Sequence, residues 1–488
     1  MLLVVSSAQA SPGALDTSFG TGGKVLTSFG TPDDEADDVA LQKDGKIIAA
    51  GYAWIGGHGD FALARYNANG SLDTTFGTGG KVTTAVSPLN DWVNAIAIQP
   101  DGKIVAVGYY QVTGASKFVV VRYNANGSLD TGFGTGGDTV TAIGPNVSAY
   151  AVVLQPDGKI VASGYTYDGT NFNFALVRYN ADGSLDSSFG TGGIVITAVG
   201  SPADGYAYDL ALQPDGKILA TGYTRVGSTY SFGLVRYNAN GSLDTSFGSG
   251  GMVTTAFPTA TIGALARAVD LQPDGKIVVS GWLFIDSQHQ DFGVARYNPD
   301  GALDTSFGTG GRVTTSVGVR AVGIDAKLQL NGKIVVAGYN RETSTSPLTF
   351  ALVRYLPNGS LDPTFGTGGK VTTAIGPYDD YIIGLGIQRD GKIVGGGASA
   401  RDTAGNDYDF ALARYQGDTC VVPKLKGRKL ARAKSLIKQN TCAVGKVKKR
   451  FSKKVKKGRV ISQSPAGGTK VASASPVNLV ASKGPKRH

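Results

Sequence analysis

The nine residues from Arg65 to Asp73 have almost the residue types and spacing of a calcium-binding loop. Asn67, Asn69 and Asp73 place side-chain oxygens at the third, fifth and ninth positions, and Gly70 holds the sixth, as in calcium loops that begin with Asp. Here the first position is Arg65, whose positive charge opposes a metal ion. The sequence therefore favours an ion pair between Arg65 and Asp73 that locks a turn, and it predicts neither a metal nor a cofactor.

Two further groups of residues invite a chemical interpretation. The glycine phrase 77–81 resembles a phosphate-binding loop, but the Walker spacing is absent and no helix pattern follows, so a turn is favoured. The three histidines, His58, His289 and His488, stand at unrelated positions, which argues against a histidine-based metal site or nucleophile. Acidic residues are plentiful, yet no carboxylate pair stands out for hydrolysis. We therefore predict no catalytic residues.

The loop belongs to a sequence motif that is repeated along the first four fifths of the chain. Its aspartate recurs at spacings of 57, 57, 56, 58, 60 and 58 residues, at Asp16, Asp73, Asp130, Asp186, Asp244, Asp304 and Asp362. Its arginine recurs at Arg65, Arg122, Arg178, Arg236, Arg296, Arg354 and Arg414. A repeat of this length predicts one structural unit for each of the seven copies.

Each repeat contains four short apolar segments separated by turn signals, a pattern that is typical of β-strands. In the second repeat the strand candidates cover residues 93–99, 103–109, 118–123 and 139–142, and Pro100-Asp101-Gly102 joins the first two as a tight turn. Four antiparallel strands per repeat indicate a seven-bladed β-propeller. The predicted fold class is therefore all-β, with the propeller over residues 11–418.

The repeated phrases resemble a known family. Leu-Asp-x-x-Phe-Gly-x-Gly-Gly, Gln-Pro-Asp-Gly-Lys-Ile and Phe-Ala-Leu-x-Arg-Tyr-Asn are similar to the bacterial delta-60 repeat over residues 13–416. This resemblance implies a propeller-like domain of exported or envelope proteins. It implies no particular activity.

The two ends of the repeat region must meet if the ring is to close. The chain begins late in one repeat, at residues 13–16, and leaves the last repeat after residues 410–415. We therefore expect residues 24–28 to form the outer strand of the last blade, beside residues 410–415. Asp16 should then form an ion pair with Arg414, as Asp73 does with Arg65.

The composition changes abruptly after residue 418. From Thr419 to His488 the chain has 20 Lys and Arg residues and no Asp or Glu, which leaves 27 basic and 37 acidic residues before it. Residues 420–484, with a helix pattern over 430–440, resemble a PASTA domain, and we place the domain at 419–484 with a basic tail at 485–488. The resemblance implies a small α+β (βαββ) module at a bacterial envelope and contact with peptidoglycan.

Cys420 and Cys442, the two cysteines of the chain, both lie in this basic module. A small domain of an exported protein is a typical place for a disulfide. We therefore expect the two cysteines to be bonded. Closing a loop of about 20 residues should stabilise the domain by roughly 3 kcal/mol in the chain-entropy model.

Residues 1–10 form an apolar stretch that ends in an Ala8-x-Ala10 pattern, as in a secretory signal peptide. The basic residues that usually precede the apolar stretch are missing. The segment is therefore either the remnant of a signal whose true start lies upstream or a strand of small residues. No apolar run approaches the roughly 20 residues of a membrane helix.

The inter-blade connections and the second turn of each blade share one side of a propeller, and on that side the sequence varies in length. It is rich in aromatic and acidic residues: Trp54, Trp92, Tyr150, Tyr206, Trp282, Tyr378, Asp379, Asp380 and Tyr381. Variable loops on a constant scaffold are where ligands usually bind, and aromatic residues suit sugar or protein contact. These residues are the predicted ligand site. The alternative is that the aromatics only cover strand ends.

A dense basic cluster in the C-terminal module is the second predicted site: Lys448, Lys449, Arg450, Lys453, Lys454, Lys456 and Lys457. Nucleic acid is one electrostatic partner, but a secreted bacterial chain meets anionic wall polymers first. The alternative is a solvated face that rests on the acidic propeller. The sequence thus predicts a monomeric, secreted or wall-associated binding protein whose partner is a glycan, an anionic polymer or an envelope protein, with a polysaccharide-acting envelope enzyme as the rival hypothesis.

Overall fold

The computed structural model of the chain describes residues 11–30, 32–201, 204–403 and 407–486. Seven four-stranded antiparallel sheets surround a common axis, and a small α+β domain follows them. The predicted all-β propeller is confirmed. The predicted signal segment 1–10 and His488 lie outside the described residues.

Each blade is given from its innermost to its outermost strand. The first blade consists of β2 (Asp34–Leu41), β3 (Ile47–Ile55), β4 (His58–Tyr66) and β5 (Lys81–Thr84). The second consists of β6 (Asp91–Ile98), β7 (Ile104–Val112), β8 (Ala115–Tyr123) and β9 (Asp138–Thr141). The third and fourth are β10 (Val147–Leu154), β11 (Ile160–Tyr167), β12 (Phe172–Tyr179), β13 (Ile194–Thr197), and β15 (Gly205–Leu212), β16 (Ile218–Val226), β17 (Thr229–Tyr237), β18 (Met252–Thr255), with β14 (Gly200–Ser201) beside β16. The fifth and sixth are β19 (Gly263–Leu271), β20 (Ile277–Phe284), β21 (Gln290–Tyr297), β22 (Arg312–Thr315), and β23 (Arg320–Leu328), β24 (Ile334–Arg341), β25 (Leu348–Tyr355), β26 (Lys370–Thr373). The seventh is β27 (Asp380–Ile387), β28 (Ile393–Ala400), β29 (Tyr408–Tyr415) and β1 (Lys24–Thr27).

The first hairpin of each blade is closed by the predicted tight turn. In the second blade the amide of Gln99 donates to the carbonyl of Lys103 at 2.8 Å, and the carboxylate of Asp101 accepts the amide of Lys103 at 3.1 Å. Gly102 has a φ of +92°, a conformation that costs glycine little. This end of the propeller, where the sequence is nearly constant, is called the hairpin side below.

Hydrophobic cores lie between blades rather than within them. One cluster joins Ile48 and Phe61 of the first blade to Val93 and Val119 of the second, with Phe76 between them. A single four-stranded sheet would leave both of its faces in water. The blades therefore stabilise one another by mutual burial.

The ring closes through the N-terminal strand. Residues Lys24 to Thr27 of β1 pair antiparallel with residues 410–413 of β29, which confirms the predicted closure. Asp16 reaches the same blade, and its carboxylate lies 2.8 Å from Nε of Arg414. The seventh blade is thus built from both ends of the propeller sequence.

A buried ion pair at the hairpin side connects each blade to the next. In the third blade Nε of Arg178 lies 2.7 Å from the carboxylate of Asp186, which also contacts Nζ of Lys159 at 2.8 Å. The guanidinium stacks 4.4 Å from the ring centroid of Phe189 and donates to the carbonyl of Ala239 in the fourth blade. Arg65 and Asp73 form the same pair at 2.7 Å. This arrangement is called the Arg–Asp joint.

The pKa values of the joint carboxylates report how strongly their charge is held. Burial alone would raise the pKa of Asp16, but hydrogen bonds from Lys392 and Ser18 and the charge of Arg414 lower it to about 2. Burial likewise opposes the charge of Asp186, yet Lys159, Ser188 and Arg178 hold its pKa well below the ordinary value. Each joint is therefore ionised at neutral pH.

The C-terminal domain contains one helix, α1 (Leu430–Gln439), a three-stranded sheet and a two-stranded sheet. Its strands are β30 (Thr419–Val421), β31 (Ala443–Arg450), β32 (Val460–Ser464), β33 (Lys470–Ala472) and β34 (Pro476–Ser482), with β34 between β31 and β32, and with β30 paired to β33. Ala433 and Ile437 of the helix enter a core with Leu425 and Leu479, and Cys420 and Cys442 are joined there by a disulfide. Within the described ranges, no helix has the length and hydropathy that crossing a membrane requires.

The domain is attached at the hairpin side of the sixth and seventh blades. Asp418 pairs with Arg354 at 3.0 Å and with Lys333 at 2.5 Å, and its carbonyl accepts the amide of Ser473. In the other joints the arginine donates to a carbonyl of the following blade, as Arg178 does. In the sixth joint the acceptor is instead the carboxylate of Asp418, which receives a hydrogen bond from Arg354.

We expect Asp186→Asn to lower the free energy of unfolding by about 3–5 kcal/mol, because it leaves Arg178 buried without its carboxylate. The pKa of Asp186 is lower in the folded than in the unfolded state, so its contribution is complete above the unfolded pKa of about 3.9 and is lost as the pH falls toward the folded pKa. The difference in the free energy of unfolding between the parent and Asp186→Asn should therefore become smaller below pH 4. Urea unfolding across this pH range measures it.

Asp215→Asn is the matched control, because Asp215 is an exposed turn residue that accepts the amide of Lys217 at 3.1 Å. It should cost less than about 1 kcal/mol. Equal effects of the two substitutions would contradict the proposed importance of the joint.

Candidate ligand-binding site

A β-bulge in every innermost strand places one side chain per blade at the axis. In β15 the register shifts between Ala207 and Asp209, so Tyr208 is left without a partner. The seven bulge residues are Asp37, Asn94, Tyr150, Tyr208, Arg267, Ile324 and Ile383. All of them line one central cavity of about 500 Å³.

Four further carboxylates line the cavity and join neighbouring innermost strands. Asp38 accepts the amides of Val39 in its own strand and Ile96 in the next blade, at 2.7 and 2.8 Å. Asp209, Asp270 and Asp325 each bridge to the following blade in the same way. Lys327 lies among them, with Nζ 2.6 Å from Asp325. These four groups therefore have a structural role at the axis.

Burial dominates the pKa values in the cavity. It raises the pKa of Asp38 and of Asp209 to about 7, against the hydrogen bonds from backbone amides. Burial and the charge of Glu35 raise the pKa of Asp37 well above its ordinary value. Burial opposes the charge of Lys327, but Asp325 and Asp209 hold its pKa above the ordinary value.

Aromatic side chains surround the axis at the end opposite the hairpin side. They come from the innermost strands and from the strands next to them, and we call them the aromatic collar: Tyr52, Trp92, Tyr109, Tyr150, Tyr165, Tyr206, Tyr208, Tyr223, Trp282, Tyr339 and Tyr381. Tyr165 stacks on Tyr206 with ring centroids 4.2 Å apart, and Trp92 stacks on Tyr109 at 5.0 Å.

A glycine precedes the collar residue in the second strand of each blade, and the bulge explains it. A Cβ atom on Gly222 would lie 1.7 Å from the carbonyl oxygen of Tyr206, and one on Gly108 would lie 1.8 Å from that of Trp92. Six of these seven glycines are followed by Tyr or Trp, and Ala398 follows the seventh, Gly397. The pair of glycine and aromatic residue is thus the sequence signal of the collar, and sequence analysis missed it.

The collar contains a cleft of about 570 Å³ lined by Tyr109, Tyr150, Tyr165, Phe172 and Tyr206, together with smaller residues of β7 and β8. Tyr150 lines both this cleft and the central cavity. The two spaces therefore adjoin at one tyrosine.

The first blade concentrates carboxylates at this end of the axis, at Asp33, Asp34, Glu35, Asp37 and Asp38. Glu35 accepts a hydrogen bond of 2.6 Å from Tyr381, and Asp33 accepts one of 3.0 Å from Tyr52. Burial raises the pKa of Glu35 to about 7, partly offset by the bond from Tyr381. This cluster was not singled out from the sequence.

The predicted ligand face divides into three groups. Trp92, Tyr150, Tyr206, Trp282 and Tyr381 belong to the collar. Trp54 lies farther along β3, and Tyr378 precedes β27; both are half-buried and outside the collar. Neither has an aromatic partner within the described part of the chain.

The two aspartates of the predicted face hold the backbone instead. Asp379 accepts the amide of Leu348 at 2.8 Å and pairs with Arg341 at 3.3 Å. Asp380 of the predicted ligand face is fully buried, and its carboxylate accepts the amide of Ile375 at 2.7 Å. A buried carboxylate is retained where it satisfies backbone donors, and here it fixes the connection into β27.

The basic cluster of the C-terminal domain lies on β31 and the loop that follows it. All seven side chains are exposed: Lys448, Lys449, Arg450, Lys453, Lys454, Lys456 and Lys457. None of them pairs with a carboxylate in the described residues. The surface that touches the propeller is formed instead by residues such as Ala472 and Ser473.

Comparison with known proteins assigns both parts of the chain to families. The family described as "Domain of unknown function (DUF5122) beta-propeller" matches residues 42–76, 99–133, 155–189, 213–247, 272–307, 329–365 and 388–418. The PASTA domain family matches residues 421–483.

A probable serine/threonine-protein kinase of Clostridium acetobutylicum is 41% identical over 71 residues, which are 14% of this chain and 11% of the kinase. The chain thus spans about a tenth of the length of this curated relative.

Two polysaccharide lyase structures resemble the propeller at low identity. Uly1 has a TM-score of 0.46 at 11% identity, covering 85% of this chain and 95% of that one. A PL25 ulvan lyase has a TM-score of 0.47 at 10% identity, covering 80% and 96%. Neither similarity bears on activity.

We expect Gly222→Ala to destabilise the propeller by about 1–3 kcal/mol or more, because a side chain there overpacks the bulge. Gly233→Ala is the matched control: its Cβ would meet Thr224 at an ordinary 3.4 Å, and the equivalent positions of other blades hold Ala62, Ala175 and Ala351. Thermal unfolding of both variants provides the measurement. A Gly222→Ala protein as stable as the control would contradict the close approach at the bulge.

Proposed function

Because the chain belongs to the DUF5122 β-propeller family and carries a C-terminal PASTA domain, we propose that it is a cell-wall-associated binding protein of bacteria. The PASTA domain holds the chain to peptidoglycan or an anionic wall polymer. The propeller presents its aromatic collar to a second ligand, either a glycan or an envelope protein. The protein acts outside the cell, as a monomer.

The observation that carries this proposal is the exposed basic cluster on β31 and the following loop. Seven positive side chains occupy ten residues, 448–457, with no carboxylate partner in the described part of the chain. Such a surface attracts polyanions over about a Debye length. None of the seven side chains takes part in the described hydrogen bonds or ion pairs with the acidic propeller, which supports a role for the cluster in binding an external polymer.

The propeller supports the second half of the proposal. Its collar supplies aromatic faces, and the adjoining central cavity supplies charged groups such as Arg267 that can orient a ligand. Half-buried tyrosines supply apolar area and a polar tip. The closed ring leaves no blade without neighbours, which agrees with a monomer.

The full chain should bind isolated walls, and binding should fall steeply between 0.1 and 1 M salt, as the Debye length shrinks from about 10 to about 3 Å. Replacing Lys448, Lys449, Arg450, Lys453, Lys454, Lys456 and Lys457 by Gln should release the protein at lower salt. Co-sedimentation with walls across a salt series measures this.

The control changes the same charge elsewhere in the domain, with Lys424, Lys426, Arg428, Lys429, Arg432, Lys434 and Lys438 replaced by Gln. All seven are exposed and lie in or just before helix α1. This variant should stay on the walls at higher salt than the first. Undiminished retention of the first variant would contradict the electrostatic anchor.

A second candidate function is cleavage of an envelope polysaccharide, favoured by the acidic residues that blade one places at the collar. Glu35 combines a pKa of about 7 with a hydrogen bond from Tyr381, as a general acid or base requires. Asp37 is close enough for the charge of Glu35 to raise its pKa further, beyond the effect of burial.

If the protein cleaves wall polysaccharide, Glu35→Gln should lower the rate by about 10²–10⁴-fold, the usual contribution of general acid–base catalysis. Glu342→Gln, an exposed residue away from the axis, is the matched control and should leave the rate unchanged. Release of soluble saccharide from walls provides the assay. No release by the parent protein would contradict this candidate.

A further inference from the structure

We propose that the central cavity binds an acidic saccharide, with a sugar carboxylate paired to Arg267 and the neighbouring tyrosines packed against the sugar rings. This inference rests on the proposed function, because it specifies the chemistry of the propeller's ligand. It commits to a uronate residue rather than a neutral sugar.

Arg267 is the bulge residue of the fifth blade. Its guanidinium carbon lies 4.0 Å from the ring centroid of Tyr208 and 5.7 Å from that of Trp282. A guanidinium that stacks on an aromatic face keeps the N–H groups at its edge available for hydrogen bonds in its own plane. No carboxylate among the described residues forms an ion pair with it. Arg267 is therefore a cation at the cavity without an ion pair, and Asp37 is the carboxyl group on which its charge acts.

The fold does not require an arginine at this position. The bulge residues of the other blades are of several unrelated types, namely Asp37, Asn94, Tyr150, Tyr208, Ile324 and Ile383. The arginines that hold the blades together lie at the hairpin side, and each has its own aspartate, as Arg296 has Asp304 at 2.7 Å. Arg267 is thus free of the structural role that explains the repeated arginines.

The carboxylates of the cavity are already engaged. Asp38, Asp209 and Asp270 each accept two backbone amides, and Asp325 also pairs with Lys327. Burial and the charge of Glu35 raise the pKa of Asp37, while the charge of Arg267 opposes that shift. An incoming anion therefore meets a guanidinium without an ion pair, beside carboxylates that already hold backbone amides or Lys327.

The space and its walls suit a saccharide. A cavity of about 500 Å³ lies within the range of roughly 300–1,000 Å³ that is usual for small-ligand sites. Tyr150 connects it to the cleft lined by Tyr165 and Tyr206, so one chain of sugars can contact both. A planar carboxylate matches the fork of a guanidinium with two parallel hydrogen bonds. A uronate residue offers that carboxylate together with apolar ring faces.

The test is calorimetric titration of the full chain with tetragalacturonate in 0.5 M salt, which screens the basic C-terminal domain. Arg267→Gln should weaken binding about 10- to 100-fold, the value of a hydrogen bond to a charged group. Arg320→Gln removes an exposed arginine outside the cavity and should change binding less than about threefold. Arg267→Lys keeps the positive charge but loses the forked guanidinium, so its affinity for tetragalacturonate should lie between those of the other two variants.

The fully methyl-esterified tetrasaccharide has the same rings without the charge. It should bind the parent and Arg267→Gln equally weakly. Equal binding of acid and ester by the parent, unchanged binding by Arg267→Gln, or no binding of the acid by the parent would each overturn the inference. Thermal unfolding and wall retention check that each variant is folded.

The two proposals fail separately. Wall retention depends on the basic cluster, so Arg267→Gln should stay on walls as firmly as the parent. A protein that binds tetragalacturonate through Arg267 but is not retained on walls would contradict the proposed function and leave this inference standing.

Discussion

The propeller depends on a buried arginine that is shared between blades. Each joint arginine pairs with an aspartate of its own blade, and Phe rings such as Phe189 cover it from water. Six of the seven arginines donate to a backbone carbonyl of the following blade, and the seventh, Arg354, donates to Asp418. Ionic groups are costly to bury unless every donor is satisfied, so the geometry of the joint restricts how neighbouring blades can sit. Because all of the joints lie at the hairpin side, the opposite end of the axis is free to vary, and the aromatic collar lies there.

The architecture was predictable because it follows from a sequence repeat whose turns and strands are each specified locally. Seven copies of one phrase, each with turn residues such as Pro100-Asp101-Gly102, specify strands and hairpins independently of the rest of the chain. The closure by residues 24–27 followed from the point in the repeat at which the sequence begins and ends. The pairing of Asp16 with Arg414 followed from the constant separation of the same two residue types in the other repeats.

The site was harder to predict because it depends on a departure from strand periodicity. The regular alternation of side chains along a strand does not predict that Tyr208 and Arg267 face the axis. The bulge in each strand turns these side chains toward it. The signal that could have revealed it is Gly222 followed by Tyr223, since a glycine inside a strand often marks a bulge. The burial of Asp380 was unpredictable for a related reason, because its carboxylate satisfies backbone amides that no sequence pattern displays.

The attachment of the C-terminal domain determines how mechanical load would travel through the molecule. Asp418 bonds to Arg354 and Lys333 of the sixth blade, while the strand that leads to it, β29, lies inside the seventh. Tension applied between a fixed C-terminal domain and a ligand at the collar would therefore be shared by two adjacent blades. Because β29 is held between β28 and β1, pulling on the C-terminal domain would load the hydrogen bonds on both sides of β29 along the strand, including those that close the ring.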